Sequence, residues 1–135
     1  MTFPNGFVGL AFREKGRDRA GVDCWGLARL VYQERGIDLP SYTEGYVSTS
    51  ERAELDALLS VGAKMFPWVA VAPGCERELD IVVFRRGRLD AHVGIVVDRN
   101  RMLHVEHGRE SCIERYDAHR WALKRSGIYR HAELA

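Results

Sequence analysis

The chain has 135 residues, 46% of them hydrophobic and 29% charged, and its 20 basic and 19 acidic side chains leave a formal net charge of +1. That length fits one domain, residues 1–135, and is enough to bury a core without disulfides or a structural metal. The charge balance gives no basis for nucleic acid or an anionic membrane as the main partner, and three cysteines are too few, and odd in number, for a disulfide framework.

The N-terminal stretch MTFPNGFVGLAFREKG has no basic segment followed by a long apolar run, so it does not read as a signal peptide. No window approaches the roughly 18 apolar residues of a membrane helix. Cys24, Cys75 and Cys112 form no C-x-x-C pair, which argues against a structural zinc site and a thioredoxin-like motif. Synthesis in a reducing cytoplasm is the expectation.

Residues 1 to 21 read as irregular, with Gly6, Gly9, Gly16 and Gly21 and a charged run from Arg13 to Arg19. A helix is predicted from Asp23, its N-cap, to a stop at Gly36, with Leu27, Leu30 and Val31 on one apolar face. "IDLPSYTEGY" follows as a loop in which Pro40 blocks further helix. A second helix is predicted over Ser48–Ser60, from the capping-box spacing of Ser48 and Glu51 and the shared face of Leu55, Leu58 and Leu59. Residues 61 to 78 give no clear element; Met65, Phe66, Trp68 and Val69 suggest packing or a lining wall. From Asp80 the pattern turns to short runs rich in β-branched residues, "DIVVF", "HVGIVV", "RMLHV", "CIER" and "GIYRH", with turns at "GRLDA", "DRN" and "EHGRE". Helices followed by an antiparallel meander predict an α+β fold.

Cys24 sits at a helix start, where the dipole and unpaired N–H groups favour the thiolate, the nucleophilic form. Packing as a small buried hydrophobe is the commoner use of such a position taken alone. A nucleophilic thiol needs a base, and the base needs an orienting group. His92 and His104 lie 12 residues apart on adjacent predicted strands. A three-residue loop, Asp98-Arg99-Asn100, makes Val97 pair with Arg101 and Gly94 face His104. His92 is then a diagonal neighbour of His104, and the two rings meet above Gly94, which has no side chain. A two-residue loop makes the register odd and parts them. A metal held by His104, His107 and a cysteine is disfavoured, because H-x-x-H on a strand points the rings to opposite faces; no metal and no cofactor is expected. Cys112 reads as packing, Cys75 as an exposed loop thiol, and His119 and His131 as surface residues.

Together, "GVDCWGLARLVY", "LDIVVF", "AHVGIVV" and "MLHV" resemble the NlpC/P60 family of papain-like cysteine peptidases, and more narrowly its phage and gene-transfer-agent cell-wall branch. The resemblance spans roughly residues 8 to 110. It implies N-terminal helices packed on a central antiparallel sheet, with Cys24 as nucleophile, His92 as general base, His104 as the polar residue that orients it, and Asp23 as the acid preceding the nucleophile. The implied function is endopeptidase action on peptide stems of bacterial peptidoglycan, often between D-glutamate and diaminopimelate. The implied setting is a phage-like tail, which accounts for the missing signal peptide. Three features depart from the family. Trp25 replaces a small serine and is read, with Asp23, as contacting substrate. Phe12 stands near the place of a tyrosine at the oxyanion site, leaving that role to backbone donors such as the N–H of Cys24. The separation of Cys24 and His92 is long, with the excess at 41–78 read as a lid or docking insertion. Two other uses of the groove are a non-catalytic tail-assembly or adaptor module that binds cell-wall peptide, and an amidase or acyltransferase working through the same thiol.

Overall fold

The computed structural model describes residues 3–39, 68–86 and 89–134. The helix predicted over Ser48–Ser60 and most of the insertion at 41–78 lie outside them. A two-stranded ribbon of β1 (Arg17–Asp18) and β2 (Gly21–Val22) leads into helix α1 (Cys24–Glu34). The helix ends as predicted: Gly36 takes φ +78°, a left-handed conformation that glycine adopts at no steric cost.

One six-stranded antiparallel sheet follows. Its strands are β3 (Trp68–Ala70), β4 (Ile81–Arg86), β5 (Leu89–Asp98), β6 (Arg101–His104), β7 (Cys112–Arg115) and β8 (Arg125–His131), in the order β3-β8-β4-β5-β6-β7. The meander expected from Asp80 holds for β4 to β7. The last strand breaks it. β8 returns past the short helix α2 (His119–Ala122) to pair with β4, and β3 pairs on its outer side. His131 is thereby buried rather than on the surface: it lies opposite Trp68 in the ladder, with ring centroids 5.1 Å from Trp68 and 6.1 Å from Tyr32.

The sheet is covered on both faces, so its central strands are unbroken apolar runs and not alternating ones. On one face Ile81, Val83, Val93, Ile95, Leu103 and Val105 pack with Leu27, Ala28, Val31 and Tyr32 of α1. On the other, Val82, Phe84, Val96 and Met102 pack with Tyr116, Trp121 and Ile128. At some 25 cal/mol for each Å² of apolar surface removed from water, either layer stabilises far more than a single polar contact. The buried Asp80, just before β4, ties that strand to β8: both its oxygens accept from Arg130 at 2.8 Å.

The N-terminal loop closes on α1 at Gly26. A methyl group there would stand 2.0 Å from the carbonyl oxygen of Gly16 and 3.2 Å from Asp23 Oδ1. Backbone cannot move aside as a flexible side chain can, so Gly26→Ala is expected to lower stability by about 1–3 kcal/mol. Urea titration checks this; an unchanged midpoint would refute the contact.

Candidate active site

The start of α1 is held by one carboxylate. Asp23, in extended conformation, accepts from the N–H of Gly26 at 2.7 Å, from the N–H of Lys15 at 3.1 Å and from Arg17 Nη1 at 2.6 Å. Its side chain is almost wholly buried and that of Arg17 largely so. The cap alone is worth about 1 kcal/mol. Removing one member of a buried ion pair costs about 3–5 kcal/mol, so the pair with Arg17 is the larger effect. Asp23 therefore clamps the loop at residues 15–17 to the helix that begins with Cys24.

Trp25 is buried too. It is 2% exposed, with its ring centroid 6.5 Å from Trp68 in an edge-on contact. The two side chains expected to contact substrate, Asp23 and Trp25, are thus enclosed by protein. The reason is tertiary: the loop at 15–17 folds over one, and β3, more than forty residues further on, supplies Trp68 to the other. Cys24 is buried too, at 5% exposure, and among the described residues no cysteine is in a disulfide. Phe12 bridges to Val22, two residues before Cys24, and its ring centroid lies 5.2 Å from His107. The start of α1 is thereby brought to the end of the sheet where His104 and His107 lie, and α1 packs on β5.

The β5–β6 hairpin brings the two histidines together by a route the sequence did not disclose. The turn has two residues, Arg99 and Asn100, and Asp98 pairs with Arg101, an odd register. The register then shifts between Val96 and Asp98, leaving Val97 as a bulge, and Val96↔Met102 and Ile95↔Leu103 restore the even sum. Asn100 takes φ +77°, a conformation asparagine tolerates better than most residues. His92 Nε2 comes within 2.9 Å of His104 Nδ1. Gly94 lies between them on this face, where an added Cβ would meet Met102 Sδ at 2.4 Å.

The line continues to Glu114 on β7, whose Oε1 is 2.8 Å from His104 Nε2. Burial pushes the Glu114 carboxyl up, but the neighbouring Trp121 indole, the His104 ring and the Arg120 charge outweigh it and hold the group below the usual carboxylate range. Burial also pushes the His104 imidazole down, and this exceeds the opposite pull of Glu114, so the ring is neutral near pH 7. Those two facts set the tautomers. An ionised carboxylate only accepts, so His104 Nε2–H donates to it. Nδ1 of His104 must then accept, and Nε2–H of His92 donates. A neutral His92 then presents the lone pair of its Nδ1 as the atom a base uses.

Trp121 shields the line from water. Its ring stacks on His92 at 5.1 Å and 18°, and meets His104 edge-on at 5.3 Å. Arg120 lies over the indole at 4.7 Å and pairs with both Glu106 and Glu114. Sequence reading missed Glu114, Arg120 and Trp121. Glu114 was within reach: His104 pairs with Cys112, and two residues on along a strand restores the face. Trp121 comes from a four-residue helix on the other side of β7, which no periodicity announces. Cys112, read as packing, is half-buried with Sγ 3.9 Å from His104 Nε2. Cys75 is exposed and His107 is exposed against Phe12, while the side chain of His119 lies outside the described residues.

A match to the NlpC/P60 family spans residues 9–130. The murein DD-endopeptidase MepS/murein LD-carboxypeptidase of Escherichia coli strain K12 is 29% identical over 98 residues, 72% of this chain and 43% of that protein. The probable endopeptidase NlpC homolog of Haemophilus influenzae is 26% identical over 119 residues, 87% of this chain and 54% of that one. The chain thus spans about half the length of these curated relatives or less. Among solved structures, an NlpC/P60 family protein from Bacillus cereus superposes with a TM-score of 0.70 at 20% identity, over 95% of this chain and 37% of that one. The NlpC/p60 domain of the peptidoglycan hydrolase SagA gives 0.61 at 17%, over 93% and 91%. The α+β, papain-like architecture is the one these structures share.

The depressed His104 has a consequence for stability. A histidine held neutral by the fold contributes fully above its unfolded value of about 6.5, and the contribution is lost as pH falls towards and through the lower folded value. The urea midpoint is therefore expected to fall between about pH 7.5 and about pH 5.5, and to fall less in His104→Asn. Equal slopes would show that His104 titrates alike in both states.

Proposed function

The chain belongs to the NlpC/P60 family, and from that premise we propose that it is a cysteine endopeptidase cutting peptide stems of bacterial peptidoglycan, at the D-glutamyl–diaminopimelate bond. The observation that carries the reading is the buried line His92–His104–Glu114, which leaves Nδ1 of His92 as a base. The naming of the curated relatives as a murein endopeptidase and a probable endopeptidase supports the substrate class.

The residues divide the work as follows. The Cys24 thiol gives its proton to His92 Nδ1 and its sulfur attacks the amide carbonyl. Backbone N–H groups at the start of α1, that of Cys24 included, meet the oxyanion. The imidazolium of His92 is stabilised through His104 by the Glu114 charge and returns its proton to the leaving amine. Water, deprotonated by His92, then cleaves the thioester, and the thiol is restored. Asp23 and Trp25 are positioning residues here, fixing the helix start that carries the thiol.

We further propose that the chain is a component of a phage-like tail, made in the cytoplasm and delivered to the wall by the particle. The support is the resemblance of the motif set, "GVDCWGLARLVY", "LDIVVF", "AHVGIVV" and "MLHV", to that branch. Mass spectrometry of purified particles tests this, and their lack of the chain would end it.

Purified protein is expected to release soluble stem fragments from isolated peptidoglycan, and Cys24→Ala to release none. Equal release by both would sink the proposal, while a native fold with no release from either would favour a binding module. Fragment masses separate hydrolysis at the glutamyl bond from amidase or transfer chemistry. On the same assay Glu114→Gln keeps an acceptor for His104 but removes the charge. It is expected to lower kcat by about tenfold or more, within the 10²–10⁴ that acid–base catalysis supplies, with KM little changed. An unaltered kcat would remove Glu114 from the mechanism.

A further inference from the structure

One cluster at the site has more chemistry than catalysis uses. His104 Nε2, Cys112 Sγ and a Glu114 carboxylate oxygen all lie within 4.8 Å of one another. The sheet builds the set. His104 and Cys112 are directly opposed across the β6–β7 ladder, and Glu114, two residues beyond Cys112, returns to the same face. A hydrogen bond between histidine and glutamate needs no thiol beside it, and Cys112 has no part in the proton path. We propose that His104, Cys112 and Glu114 form an inhibitory site for a borderline-soft divalent cation, of which Zn²⁺ is the natural occupant.

Imidazole, thiolate and carboxylate together suit zinc better than calcium or magnesium, which take oxygen ligands. The dimensions are close. Ligand distances of about 2.0–2.3 Å at a tetrahedral centre place neighbouring donor atoms roughly 3.3–3.6 Å apart. The present separations are 3.9 Å from Cys112 Sγ to His104 Nε2 and 2.8 Å from that nitrogen to Glu114. The third separation, Cys112 Sγ to the Glu114 oxygen, is within 4.8 Å, so drawing all three donors onto one ion takes movements of up to about an ångström. Arg120 gives up its 3.3 Å contact with Glu114 and keeps Glu106.

The effect on the enzyme follows from proton bookkeeping and rests on the reading of His92 as the base. Zinc binds a neutral imidazole through a lone pair, so Nε2 of His104 loses its proton and Nδ1 carries one instead. That Nδ1–H donates to Nε2 of His92, which must now accept, and the His92 proton passes to its own Nδ1. The imidazoles keep two protons between them, and Cys112 releases one to solvent as it becomes thiolate. His92 then carries an N–H at Nδ1 in place of a lone pair and, on the proposed mechanism, cannot take the thiol proton of Cys24. Glu114, drawn to the metal, no longer steadies an imidazolium. The metal thus switches the enzyme off without touching Cys24.

The test separates binding from activity. Cys24→Ala removes the other buried thiol, and this protein is expected to bind one equivalent of Zn²⁺ by calorimetry. With Co²⁺ alone it should show a thiolate-to-metal charge-transfer band. Adding Cys112→Ser should abolish the band and weaken Zn²⁺ binding by more than about tenfold, a loss that even an outer-shell change can bring. Adding Glu114→Gln in its place should weaken binding while keeping the band. In the protein with Cys24 intact, Cys112→Ser should keep its basal hydrolysis and need more than about ten times the Zn²⁺ for half-inhibition. A band or affinity that survives Cys112→Ser, or equal inhibition of both proteins, would place the ion elsewhere and overturn the proposal. Should neither protein hydrolyse peptidoglycan, the peptidase reading fails while the calorimetric and Co²⁺ results still decide the metal site.

Discussion

The bulge at Val97 lets a two-residue turn and an even register coexist between β5 and β6. Without that extra residue, every side chain of β6 would change faces relative to β5. Leu103 would leave the α1 layer, and His104 would point away from His92. Register is defended here by the whole core, since Val93, Ile95 and Leu103 must bury on one face and Val96 and Met102 on the other. The 2.9 Å contact between the imidazoles is therefore a by-product of hydrophobic packing, and the site inherits the rigidity of the sheet.

Burial then decides what the contact can do. In a low-dielectric layer an unpaired polar group is costly, and a continuous hydrogen-bonded line is stable only when each member has its partner. Glu114 closes the line at the half-exposed end, where the Trp121 indole, the His104 ring and the Arg120 charge keep the carboxylate ionised. Trp121 covers the rings. His104 and Glu114, which set the histidine tautomers, also stand within 4.8 Å of the Cys112 thiol. One arrangement thus supports both a proton path and a metal set.

The N-terminal segment does the other half of the construction. Asp23, Arg17 and Gly26 lock the loop onto the first turn of α1, and Phe12 carries that assembly to the end of the sheet bearing His104 and His107. Trp25, the residue after Cys24, follows the same logic. A large ring there is accommodated by Trp68 on β3, and through it by Tyr32 and His131. Its ring is taken up by the core.

Much of this was legible in the residues alone. The Asp23 cap, the stop at Gly36, the β-rich second half and the pairing of His92 with His104 follow from local rules, because caps, turns and strand alternation depend on near neighbours. The turn was misjudged by one residue, since a bulge trades with loop length and the two leave the same register. The position of β8, the burial of His131 and of Trp25, and the recruitment of Glu114 and Trp121 were not legible. Each depends on which strand lies beside which, and a chain's order does not dictate the order of strands in a sheet. The sequence by itself determined which groups had the chemistry; only the tertiary structure decided which of them share a face, and so which nitrogen holds the proton.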